Sequence, residues 1–194
     1  MNVIAYVRHS LIAAARVASF DKAAIDDFDN SYTGFFLSFA AMIVSVPLYL
    51  LQTAAVRFVM AGAGNVVPPV EPGTIVLDLF YFAMAWLAFP LVMIAIAPLI
   101  NARPRYVPFI IVHNWAGCIV LAAQSLPSLF VLAGLPWLAT ATFIPLLGFA
   151  LVYLWQVARE GLQVTPLTAV GIVILELLIT VLFEQATMSP ASAT

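Results

Sequence analysis

Charge is what this sequence has least of. Asp, Glu, Lys and Arg together make up 8% of its 194 residues, against about a quarter in an ordinary soluble domain. Hydrophobic residues reach 64%, an excess that no water-facing surface could hide. Seven basic against nine acidic residues leave a net charge of -2, so no basic surface exists to neutralise phosphates and no nucleic acid is expected as a partner. Cysteine is nearly absent. Cys118 alone, inside an apolar run, forms neither an intrachain disulfide nor a thiolate metal site and reads as a small packing residue. Also missing are a His-Glu-x-x-His pair, a Gly-x-Ser-x-Gly elbow and a Gly-Lys-Ser/Thr phosphate loop. The sequence therefore predicts no catalytic residue, no metal, no cofactor and no enzyme. Arg8, His9 and Arg16 interrupt the N-terminal stretch, so no cleavable signal peptide is expected.

What the chain has instead is long apolar runs. Crossing the hydrocarbon core takes roughly 20 apolar residues in a helix, at about 1.5 Å of rise each. Five runs qualify: 34–60, 74–100, 107–127, 137–158 and 165–187. Beyond Pro127, residues 128–134 read either as a last helical turn or as an interfacial segment before Pro136. The runs are continuous and lack the alternation of an outer-membrane barrel, so helices are expected. Pro108, Pro136 and Pro166 stand at helix starts, whereas Pro47, Pro90 and Pro145 fall near the middle of spans and favour kinks. The expected fold class is an all-α membrane protein of five transmembrane helices, residues 34–188, followed by a short external tail, 189–194.

Basic residues orient the spans. Arg8, Arg16 and Lys22 precede the first, Arg103 and Arg105 lie between the second and third, and Arg159 lies between the fourth and fifth. Only Arg57 departs from this alternation. The N-terminus is thus expected in the cytoplasm and the C-terminus outside, in a bacterial inner membrane. Within residues 1–33, Ile4, Val7, Leu11, Ala15 and Ala18 recur at helical spacing opposite His9 and Arg16, which predicts an amphipathic helix on the membrane surface. Asp21, Asp26, Asp27 and Asp29 follow; they read as a solvated capping segment, with a docking site for a basic partner as the alternative, and Asn30 or Ser31 can cap the first span.

A charged side chain at mid-membrane costs about 2.5 to 3.5 kcal/mol on insertion scales, so each needs a reason. Glu176 sits near the centre of the fifth span, with Thr180, Glu184 and Thr187 continuing a polar stripe along one face. His113 and Asn114 lie roughly 10 Å into the third span and Glu176 roughly 16 Å into the fifth from the same side, about one turn apart. A direct or water-bridged contact from Glu176 toward His113 or Asn114 is therefore expected. Gly117 and Gln124 share the face of His113, so close helix approach with hydrogen bonding explains that face equally well. Arg57 and Asp78 form a second expected pair, an ion pair at the outer interface of an antiparallel hairpin. Trp137, Trp155, Tyr32 and Tyr106 fit interfacial belts, while Trp86 and Trp115 lie deeper, between helices.

The cytoplasmic N-terminal helix followed by five spans resembles the Yip domain family of membrane proteins, and LWQVAREGLQVTPLTAVGIVIL (154–175) is similar to that family's polar turn into its final helix. FDNSYTGFFLSF (28–39) and IVHNWAGCIVLAAQ (111–124) also resemble small inner-membrane proteins of alphaproteobacteria. The first resemblance implies a membrane-shaping, trafficking or assembly role and assigns no functional residue. The leading expectation is a non-enzymatic scaffold or assembly protein working through lipid contacts, a partner helix or a second copy of itself. The competing one is a small proton- or cation-coupled transporter built on Glu176 and His113. A wet cavity reaching Glu176 would favour the transporter, and a dry bundle the scaffold.

Overall fold

The computed structural model describes residues 2–67 and 69–188, without the side chains at 184 and 186–188. Its regular elements among these residues are all helical. Helix α1 (Val3–Ala18) starts at Asn2, whose Oδ1 accepts from the Ile4 amide at 3.1 Å. A short 3-10 turn, Lys22–Asp27, leads to α2 (Tyr32–Ser38) and α3 (Ala40–Gly62), which together make one apolar stretch interrupted at Phe39. Then come α4 (Pro72–Leu99), α5 (Tyr106–Leu132), α6 (Pro136–Leu162) and α7 (Pro166–Met188). Five helices are long and apolar enough to cross a membrane, so the chain is a multi-pass membrane protein. The 189–194 tail lies outside the described residues.

Local chemistry explains the boundaries. Ser31 accepts from the Gly34 amide at 3.0 Å and caps α2, while Pro72, Pro136 and Pro166 open their helices, where a missing amide hydrogen costs little. Pro47, Pro90 and Pro145 lie within α3, α4 and α6. Residues 128–132 are the end of α5, which runs straight through Pro127. Gln163 ends α6 in the left-handed region, φ 55°.

The centre of the bundle is α5. Its residues from Phe109 to Val112 and from Asn114 to Ala116 are buried on every side, the mark of a helix enclosed by neighbours rather than facing a solvent. Around it stand α3, α6, α1 and α2, while α4 leans chiefly on α7. Helix α1 docks by Tyr6, Ser10, Ala13, Ala14 and Val17. That stripe is rotated about a third of a turn from the more apolar one read in the sequence, of which Val7, Leu11 and Ala18 are half-buried and Ile4 and Ala15 are exposed. The docking stripe has polar work to do. The Tyr6 hydroxyl donates to Gly34 O at 2.9 Å, Trp115 Nε1 donates to that hydroxyl at 3.4 Å, and Tyr153 reaches across from α6 to Ala14 O at 2.8 Å.

Candidate functional site

A cavity of about 410 Å³ opens between α3, α4, α5 and α7. It lies near the middle of the spans, as its lining takes Tyr49 and Gln52 from α3, Tyr81 to Phe89 from α4, His113 to Gln124 from α5 and Glu176 to Phe183 from α7. In its wall His113 Nε2 and Glu176 Oε1 are 2.9 Å apart. Their side chains are 12% and 20% exposed, so the pair belongs to the bundle interior. Phe89 stacks on the imidazole at 4.4 Å, and His113 Nδ1 is buried without a hydrogen-bond partner among the described residues. Fixed by that ring and by Phe109, the imidazole presents one nitrogen to one carboxylate.

The other side chains singled out from the sequence separate. Asn114 does not join His113, because neighbours on a helix point about 100° apart. Its Nδ2 donates to Ser38 Oγ at 2.8 Å and its Oδ1 accepts from Trp86 Nε1 at 3.1 Å, which ties α5 to α2 and α4. Gln124 and Thr180 line the cavity with Glu176, and the Thr180 hydroxyl donates to Glu176 O at 3.0 Å. The side chains of Glu184 and Thr187, which would continue that stripe, lie outside the described residues. At Gly117 an added Cβ would come within 3.1 Å of the Trp86 ring, so the glycine admits α4's indole to the cavity wall.

Of the pair expected at Arg57 and Asp78, Arg57 stands in the C-terminal half of α3 and Asp78 in the N-terminal half of α4. Helix α3 packs chiefly on α5 rather than on α4. Where α3 and α4 do meet, Tyr49 stacks on Phe82 at 4.4 Å and its hydroxyl donates to the backbone oxygen of Asp78 at 3.3 Å.

The acidic N-terminal segment serves itself. Arg16 donates through Nε to Asp21 Oδ2 at 3.0 Å and pairs with Asp27, while Asp29 Oδ1 accepts from the Ser31 amide at 3.0 Å. The Arg16 guanidinium holds the Asp21 carboxyl below its ordinary range, chiefly by that hydrogen bond. Burial pushes the Tyr6 phenol up, which keeps it a donor to Gly34 O.

Sequence reasoning did not single out Gln52, Tyr49 or Tyr81, all of which line the cavity. Gln52 had a signal: Ser38, Ser45 and Gln52 stand seven residues apart in an apolar stretch, the repeat of a helix seam. No group of three or more His, Cys, Asp or Glu that could hold a metal occurs among the described residues. No protein-family model matches the chain, and neither a curated protein nor a solved structure does.

Proposed function

We propose that this chain is a proton-coupled carrier of a small molecule in a bacterial inner membrane, with the His113–Glu176 pair as its proton site. One observation carries the reading: a cavity of about 410 Å³, within the size range of small-molecule sites, reaches a titratable pair held inside the bundle. A bundle that worked only as a scaffold would have no use for such a space, and Glu176 inside it would remain a cost. The basic residues favour a cytoplasmic N-terminus and an external C-terminus, and the cavity lies near mid-span between the two sides. Helix α1 then sits at the cytoplasmic surface, with its docking stripe on α5 and α6 and with Ile4 and Ile12, both exposed, turned toward lipid.

The test is proton flux into liposomes that hold the purified full chain and a trapped pH dye. A flux carried by the wild type and lost in Glu176→Gln supports the carrier. Equal flux from the two proteins, or none from either across a panel of small amines, acids and sugars, overturns it.

A further inference from the structure

Resting on the carrier reading, we infer that the ligand is a hydrophobic amine bound as its ammonium ion, which Glu176 takes in exchange for a proton. The cavity wall is built for a cation with an apolar body. Tyr81, Phe82, Trp86 and Phe183 line it, and aromatic rings attract positive charge through their faces. No Lys or Arg occurs among the described lining residues, and the one basic side chain, His113, already faces Glu176. An anion would meet the carboxylate with nothing else to offset it.

Oxygen acceptors are spread over three helices. Gln52 donates its Nε2 to Leu121 O at 3.3 Å and to Ser125 Oγ at 3.2 Å, which leaves its amide oxygen as the remaining acceptor. Gln124 adds another from α5, and Glu176 supplies the charge from α7. A primary ammonium has three donors to match them. A bare metal ion fits poorly, since the space is far larger than an ion and mostly apolar.

Charge balance couples the amine to the proton. With one shared proton beyond neutral imidazole and carboxylate, the His113–Glu176 pair carries no net charge. An ammonium arriving at Glu176 would make the site net positive inside the membrane, where an uncompensated charge is costly. Release of that one proton restores neutrality: the Glu176 carboxylate now faces the N–H donors of the amine, and His113 is left as the neutral base. The only other titratable groups facing the pair among the described lining are the phenols Tyr49 from α3 and Tyr81 from α4.

The probe is 2-phenylethylamine, compared with 2-phenylethanol and phenylacetate, on the full chain in lipid nanodiscs. Binding is read by quenching of tryptophan fluorescence, since Trp86 lines the cavity, and by calorimetry in buffers of different ionisation enthalpy. The amine should bind about tenfold or more tightly than the neutral alcohol, the margin expected for hydrogen bonds to a charged group, and should release one proton per molecule bound. Glu176→Gln should erase the preference for the amine while the alcohol still binds. Phenylacetate binding as tightly as the amine, equal binding of all three, or amine uptake without proton release would each overturn the inference, and none of these comparisons needs a variant. If no probe binds while a Glu176-dependent proton flux persists, the amine falls and the carrier stands. Amine binding with proton release but no transmembrane flux sinks the carrier and leaves the amine site.

Discussion

The two faces of α5 treat polar groups in opposite ways. Toward α2 and α3, Ser38 meets Asn114, Ser45 meets the Cys118 thiol at 3.0 Å, and Gln52 meets Leu121 O and Ser125. The Cys118 thiol in turn donates to Ala41 O at 3.1 Å, so the seam closes on itself rung by rung. Toward α4 and α7, His113, Gly117 and Gln124 border the cavity, and the Nδ1 of His113 has no partner among the described residues. Hydropathy registers both faces alike, as polar interruptions of an apolar run. At the level of the pair the difference is that Ser38, Asn114 and Cys118 are answered by neighbouring helices, whereas His113 Nδ1 is not.

The largest expected effect lies at the seam's lower end. Gly34→Val should unfold or strand the N-terminal half of the bundle, because a Cβ at that position would stand 1.9 Å from the Asp29 backbone oxygen, where neither partner is a flexible side-chain tip. A loss of more than about 3 kcal/mol is expected in reversible unfolding in mixed micelles. Wild-type stability there would remove the seam from its place as the rigid half of the comparison.

Asn114→Leu should come next, at about 1–2 kcal/mol in the same assay, because it leaves Ser38 Oγ and Trp86 Nε1 without their shared partner. Glu176→Gln should cost less than about 1 kcal/mol, since an amide can still bond to His113. The contrast sharpens the comparison: a seam residue should act on stability, a cavity residue on flux. If Glu176→Gln proved the more destabilising of the two, the pair would be structural glue after all.

Much of this was legible in sequence, and the exceptions share one cause. The spans follow from unbroken apolar length, and the Ser31 cap from residue type. The meeting of His113 and Glu176 follows from counting helical rise along two helices that run the same way. Depth is additive along a chain, so it can be read. Azimuth is not: it depends on which neighbour each helix face meets. That is why Asn114 parts from His113, and why α1 docks by Tyr6 and Ser10 rather than by its most apolar stripe. In a membrane the most apolar stripe faces lipid as readily as protein, so hydropathy cannot choose between them.

Gly117→Ala tests the cavity wall more gently than the seam was tested at Gly34. The added methyl would stand 3.1 Å from the Trp86 ring, which can swing by a few tenths of an ångström, so stability should change by less than about 1 kcal/mol. Ligand affinity should still fall, because the displaced indole narrows the cavity. A large loss of stability would mean that α4 is packed as tightly as α3.

The smallest effect concerns the collar that holds α1 against the seam side. Asp21 is held below its ordinary carboxylate range by the Arg16 hydrogen bond, so its contribution to folding is present above about pH 4 and is lost as pH falls through the depressed value. Both side chains are well exposed, so the effect should be slight and screened by salt. Acidification below pH 4 should therefore raise hydrogen exchange in α1 and the 22–27 turn before it reaches the His113 end of α5. Asp21→Asn should reproduce that pattern at neutral pH. Should acid instead loosen α4 and α7 first, the cavity side would be the one tied to the Arg16–Asp21 collar, and the division of α5 into a closed and an open face would have to be redrawn.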